Sequence, residues 1–358
     1  MDTLQTNTTT ISEALCVDGQ KLWHWYRDFL SGFWEAPTQE GHYRHDIEVD
    51  KGGKKELVRI PILKPENIGP NMAIDEKQIG EDMHTLLTNR DTGKLAMLAR
   101  SVSAEDLQKA IASVGNKVDI VETITRDLSP TYEKFGNSAF PNASHIADKF
   151  HIVRELLECC QEVRVRYRQE ALKEKRLKYE EHKKIEKQRK ESCAKENETY
   201  SRKNFIYEEP ILSNGETTIE ALARSRFLLF KYRGDWTANQ KTRALALFEK
   251  YPEIEAAHEL ACGFRDWIKR ENIGREMATL RKELREWFKK VEQEGVEELL
   301  NFKSMIERNL LEVSNYFRFG ATNAIAENMN SRIQRFVMIN QGTRDREFFY
   351  FRVANYFA

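Results

Sequence analysis

No stretch of the 358-residue chain stays apolar for the roughly 18 residues that a membrane-crossing helix requires, which excludes a helical span. The opening residues, MDTLQTNTTT, lack both the basic and the apolar parts of a secretion signal. Cysteine is scarce: Cys16, Cys159, Cys160, Cys193 and Cys262 form no C-x-x-C pair. That usage suits a reduced, cytoplasmic chain and argues against a structural zinc site. Net charge is missing too, since 57 Lys and Arg balance 57 Asp and Glu, so the total points to no nucleic-acid partner. No internal repeat is present.

What is there is a hydrophobic content of 40% beside 32% charged residues, the profile of a soluble globular protein of one large or two ordinary domains. The charge is uneven. Residues 161–205 hold 15 Lys and Arg against 9 Asp and Glu, a balance of +6, which leaves −6 for the remainder. A neutral total thus conceals a basic segment beside an acidic region.

Along the chain, LWHWYRDFLSGFW (22–34) reads as a short amphipathic helix that docks on the body or on a partner. HYRHDIEVDKGGKKELVRIPIL reads as two short strands around the Gly-Gly turn at 52–53. PNMAIDEK is a short apolar strand ending in acids. DMHTLLTN and KLAMLARSV flank NRDTG, a turn sequence, and form a hairpin. AEDLQKAIASV is a helix opened by Ser103, and KVDIVETITRD is strand-like up to Asp127. SPTYEKFGNSAF is a short helix with Pro130 in its first turn, and NASHIADKFH a further strand. This order of strand, strand, strand, helix, strand, helix, strand matches an α/β ribonuclease H-like core, in which parallel strands extend three antiparallel ones. From 152 to about 318 nearly everything is helical, including the charged run KEKRLKYEEHKKIEKQRKE, a solvated arm with nucleic-acid contact as the second reading. TTIEALARSRFLLFKYR is a strongly amphipathic helix, and Thr237 with Gln240 makes a capping box for the next. Gly320 separates this block from ATNAIAENMNSRIQRF (321–336).

In a ribonuclease H-like core the middle of the first strand lies beside the end of the fourth, so Asp75 and Asp127, 52 residues apart, point into one site. A third carboxylate comes from a helix after the fifth strand, and Glu327 is so placed. Three carboxylates together raise each other's pKa unless cations neutralise them, and two magnesium ions about 3.5–4 Å apart would do so while serving phosphoryl transfer. Each acid also has a plain reading. Asp75 suits a strand-end turn, Asp127 a helix N-cap, and Glu327 a surface acid paired with Arg332 or Arg335.

The run YFRFGATNAIAENMNSRIQRFVMINQGTRDREFFYFRVANYFA resembles the closing region of DDE-type transposases of bacterial insertion sequences, specifically the ISL-three family, related to the Mutator group. PENIGPNMAIDEKQIG, ITRDLSPTY, FPNASHIADKFHIVREL and SRFLLFKYRGDWTANQ also match, in order, and the resemblance covers about residues 64–357. It implies a ribonuclease H-like catalytic core interrupted by a large all-helical insertion. Residues 1–63 are an N-terminal docking or partial DNA-binding segment, 64–151 the first part of the core, 152–318 the insertion, and 319–358 the C-terminal helices that complete the core. It implies metal-dependent hydrolysis at transposon ends and transfer of the 3′-hydroxyl into target DNA, without a covalent enzyme–DNA intermediate. Asp75, Asp127 and Glu327 become the ligands of two magnesium ions, with manganese able to substitute.

Asp148 and His151, spaced as D-x-x-H, match a supporting catalytic motif; the plain reading of His151 is a satisfied histidine at a strand-to-helix junction. Lys and Arg within 164–190, with Arg332, Arg335, Arg344 and Arg346, are candidate phosphate contacts. Asn323 and Asn330 lie one turn either side of Glu327, near enough to position DNA or the carboxylate. Trp236 is either a stacking contact to distorted DNA or a core tryptophan. The implied partners are transposon-end and target DNA and further copies of the chain on that DNA, in the bacterial cytoplasm and at the nucleoid. Full-length family members carry an N-terminal zinc-binding and helix-turn-helix region that this sequence lacks. The expectation is a truncated copy or the second product of a split reading frame, with a partner protein for end recognition. Two other readings are an inactive DNA-binding or assembly subunit and a stand-alone ribonuclease H-like nuclease.

Overall fold

The computed structural model describes residues 8–34, 62–340 and 345–358 in full, and 45–51 and 54–60 by their backbone. It divides into two units, Met1–Ile152 with Asn309–Ala358, and Val153–Arg308.

The first unit is built on six strands: β3 (Ile62–Leu63), β4 (Asn71–Ile79), β5 (Asp82–Asn89), β6 (Leu95–Ala99), β7 (Thr123–Arg126) and β8 (Ser144–Ala147). Their order across the sheet is β3-β6-β5-β4-β7-β8. β3, β6, β5 and β4 pair antiparallel, and β7 and β8 join β4 in parallel. β1 (His45–Lys51) and β2 (Lys54–Ile60) form a separate antiparallel pair flanking residues 52–53, and that turn itself lies outside the described residues. The NRDTG turn between β5 and β6 works as its chemistry suggests. Asn89 Oδ1 accepts from the backbone N–H groups of Asp91 and Thr92, and Gly93 takes φ +69°, where a side chain is strained.

All five residues of β6 are buried, because helices cover both faces of the sheet. On one face α3 (Ala104–Ala112) and α4 (Pro130–Ala139) contribute Leu107, Ile111, Tyr132 and Phe135 to a core with Met72, Ile74 and Ile124. On the other, α13 (Ala324–Ile339) and α14 (Arg346–Phe357) bury Met329, Ile333, Phe336, Phe348 and Phe351 against Leu86, Leu95 and Leu98. The N-terminal helices α1 (Thr8–Leu15) and α2 (Gly19–Trp25) lead into a wider turn at Tyr26–Leu30. There Tyr26 and Phe33 pack on Phe348 and Arg27 pairs with Asp345. The aromatic stretch thus docks on the chain's own C-terminal helix.

The strand expected over KVDIVETITRD is shorter than its β-branched content suggests. Gly115–Ile120 is a 3-10 turn that presents Val118 to the core, and only Thr123–Arg126 pairs. His151 lies in the first turn of α5 (Lys149–Lys195), since β8 stops before Asp148.

The second unit is all-helical among its described elements: the body of α5, then α6 (Thr218–Arg224), α7 (Arg226–Leu229), α8 (Ala238–Lys250), α9 (Pro252–Trp267), α10 (Met277–Glu294) and α11 (Glu297–Arg308). The capping box at Thr237 and Gln240 opens α8. The amphipathic helix expected through TTIEALARSRFLLFKYR breaks at Ser225. In an unbroken helix Leu222 O would accept from Arg226 N–H. Instead Leu222 O accepts from Arg164 Nη1 at 2.6 Å and from Ser225 Oγ at 3.2 Å, and a second short helix begins.

Candidate active site

Strand register sets the site. In the parallel pairing of β4 with β7, Asn71 faces Thr123 and Ala73 faces Thr125. Two residues on at the same offset, Asp75 stands level with Asp127. β7 then pairs with β8 from Thr123–Ser144 to Arg126–Ala147. One residue further, Asp127 is level with Asp148, whose N–H still donates to Arg126 O at 2.8 Å. Residues at one level of parallel strands point to the same face. Three aspartates therefore form a row, Asp75 midway along β4 and Asp127 and Asp148 one residue past the ends of β7 and β8.

Each acid is held differently. Asp75 is 8% exposed; its Oδ1 accepts from Glu76 N–H at 2.8 Å and its Oδ2 from Asn330 Nδ2 at 2.6 Å. Burial pushes its pKa up to about 6, the charges of Asp148 and Asp127 push the same way, and the Glu76 N–H and His151 oppose them. Asp127 accepts from Ser129 N–H at 3.0 Å. The cap of α4 is Ser129 itself, whose Oγ accepts from Tyr132 N–H, so Asp127 is not spent as the N-cap. Asp148, 1% exposed, accepts from Phe150 N–H and from His151 Nδ1 at 2.6 Å. That hydrogen bond raises the His151 pKa, burial opposes it, and the charges of Asp148, Asp127 and Asp75 add to the rise. Glu327 comes from α13, half-buried, its pKa raised by burial and then by Asp148, with His151 opposing.

Electrostatically, Asp148 and His151 link Glu327 to the aspartates. Among the described residues, no Lys or Arg forms an ion pair with Asp75, Asp127, Asp148 or Glu327. Nor are three acidic, histidine or cysteine side chains drawn into one metal-sized cluster among them, and both Asp75 oxygens are engaged by N–H donors. The donor set is nevertheless oxygen-rich, with a buried, unpartnered Asn330 Oδ1 next to Asp75, and it fits a hard divalent cation better than any soft metal.

Of the other candidates, Arg332 stacks its guanidinium 5.0 Å over Phe357, and Arg335 is exposed. Arg346 pairs with Asp82 at 2.7 Å, and Arg344 lies outside the described residues. Asn323 is 1% exposed, so the expectation of a DNA contact there gives way to a buried bridge, described below. Trp236 belongs to the packing of the helical unit, donating from Nε1 to Leu228 O and lying 5.2 Å from the His258 ring.

Sequence reasoning missed Arg126, the largest fully buried side chain among the described residues. It donates to Asp127 O at 3.0 Å and to His145 Nδ1, and pairs with Glu312 of α12 (Leu310–Phe319) at 3.3 Å. The signal was an arginine inside an otherwise apolar strand, TITR.

A sequence-family profile described as transposase, of the ISL-three DDE type, matches residues 72–353. The chain belongs to that transposase family. No curated protein matches it, and no solved structure does. The matched span of the transposase starts at Met72 in β4 and ends at Val353 in α14, so it includes the aspartate row and Glu327. No helix among its described residues is long and apolar enough to cross a membrane.

Proposed function

We propose that this transposase cuts a phosphodiester at the transposon end and directs the freed 3′-hydroxyl into target DNA, using one metal-dependent site. In this reading residues 64–151 and 319–358 make a ribonuclease H-like core, 152–318 is a helical insertion that covers DNA near the site, and 1–63 is a docking or partial DNA-binding segment. The observation that carries the proposal is the aspartate row, Asp75, Asp127 and Asp148 at one strand level, with Glu327 electrostatically linked to it. Buried acids without cationic partners are costly, and they cluster where function needs them.

Asp75, Asp127 and Glu327 would hold two magnesium ions, or manganese in their place, which when bound activate the attacking oxygen and stabilise the leaving one. The chain's own groups then position and balance charge. Glu76 N–H and Asn330 orient the Asp75 carboxylate. Arg126 fixes the main chain at Asp127. His151 Nδ1 stands 2.6 Å from Asp148, a hydrogen bond that raises the His151 pKa and holds the ring against the acids. Arg332, Arg335, Arg344 and Arg346, with the basic stretch 164–190, serve as phosphate contacts for end and target DNA, in a homo-oligomer on paired ends in the bacterial cytoplasm and nucleoid. Incubating end-containing DNA with the protein and magnesium, with and without a candidate end-recognition partner, tests this. Nicked and strand-transferred products are expected from the wild type and none from Asp127→Asn; full activity in that variant overturns the proposal.

A further inference from the structure

The helix that carries Glu327 has asparagines four residues before it and three after it. At 100° per residue all three lie on one face of α13, with Glu327 in the middle. Asn323 donates from Nδ2 to Ile74 O at 3.3 Å and accepts the Thr125 hydroxyl on Oδ1 at 2.8 Å, which ties the start of α13 to β4 and β7 together. Two turns later, Asn330 donates from Nδ2 to Asp75 Oδ2 at 2.6 Å and to Glu76 O at 3.3 Å. Three consecutive residues of β4 are thus gripped from one helix face. We infer that Asn323 and Asn330 form a two-point clasp that fixes α13 on β4 and so positions Glu327 within reach of the Asp148 and His151 charges, and that they are not contacts to DNA; this rests on reading the acid cluster as a metal site.

The geometry leaves Glu327 little freedom. A one-residue slide of α13 moves it 1.5 Å and turns it by 100°, which breaks both anchors at once. The residue type follows from the reach. Asparagine supplies a neutral donor and acceptor on a short stem, so Asn323 can bridge a carbonyl and a hydroxyl at once. At position 330 an aspartate would set a like charge against Asp75, and an alanine would leave Asp75 Oδ2 without its donor. Burial decides against DNA for Asn323, whose amide is sealed at 1% exposure and has its Nδ2 and Oδ1 engaged.

The test compares Asn330→Ala, Asn330→Asp and Asn323→Ala with the wild type by two readouts. One is divalent-ion affinity from calorimetric titration with manganese chloride. The other is binding of a labelled DNA duplex in EDTA, followed by anisotropy. The clasp predicts that Asn330→Ala weakens manganese binding about 10–100-fold, as loss of an outer-shell partner does, with metal-free DNA binding and circular dichroism unchanged. Asn330→Asp is expected not to rescue it. Should Asn323→Ala fail to fold, Thr125→Val removes the donor to its Oδ1 and is expected to weaken manganese binding in the same direction. Wild-type manganese affinity in Asn330→Ala overturns the clasp, and reduced metal-free DNA binding in that variant makes the asparagine a DNA contact instead. Asp75→Asn separates the two readings: if it too leaves manganese binding intact, the metal site itself fails, independently of the clasp.

Discussion

Carboxylates of the helical unit and the acids of the candidate site meet opposite fates. In the helical unit, Glu216 receives Arg243 Nε and Nη2 at 2.8 Å each, together with Arg224 and Asn214, and these donors hold its pKa down at about 2. Glu253 and Glu298 share Arg166, at 2.7 and 2.9 Å. In the sheet unit, the site acids Asp75 and Glu327 have no such partners and are pushed up by burial. Even Arg126, next to Asp127 in the chain, sends its guanidinium to Glu312 and to a main-chain oxygen. Arginine is used where acids build structure and kept from the acids in the row. That asymmetry is what the proposed role of the row requires, since a catalytic site gives up stability for chemistry.

The contrast can be broken at four points. The largest effect is expected from Asp127→Asn, which should cut DNA cleavage by at least about 10³-fold while the melting profile stays close to wild type. Next, Arg126→Leu leaves Glu312 without its partner inside the sheet unit; a loss of about 3 kcal/mol in urea denaturation is expected. A smaller change of opposite sign is expected at the row itself. Asp75→Asn removes one of several crowded charges and should raise metal-free stability by roughly 1–2 kcal/mol, while abolishing any upward shift of the melting temperature on adding magnesium. A destabilised Asp75→Asn protein would contradict the comparison.

The smallest effect belongs to the helical unit. Arg243→Ala should cost about 1 kcal/mol, because the pair is partly solvated. The Glu216 pKa is depressed from 4.5 to about 2, so its contribution is complete above pH 4.5 and is lost as pH falls toward 2. Acid denaturation followed by circular dichroism should show this loss in the wild type and not in Glu216→Gln.

Local signals were legible where the chemistry is local. The Asn89 turn, the Thr237 cap and the left-handed Gly320 that ends α12 all act through neighbours within a few residues. The strand order followed from apolar runs punctuated by turns. What escaped was set by distant groups. Ser225 breaks a helix partly because Arg164, 58 residues upstream in sequence, takes a carbonyl that the helix needed. Val118 looked like strand and instead packs from a 3-10 turn. The level shared by Asp148 with Asp75 and Asp127 depends on the pairing of β7 with β8, which no single segment encodes. Asn323 read as a residue that positions DNA or the carboxylate because a polar side chain at a helix start is ordinarily accessible, and its burial arises only when α13 meets β4.

The shared strand level also dictates which length changes the chain tolerates. One residue inserted between Asn71 and Asp75, or between Ser144 and Asp148, would swing an acid to the opposite face of the sheet, because side chains alternate along a strand. The loops that join these strands to the intervening strands and helices carry no such constraint, and they can grow or shrink without moving the row. Spacings of 52 and 21 residues between the aspartates are therefore free to drift among relatives, while the counts from each strand's first paired residue to its acid are not.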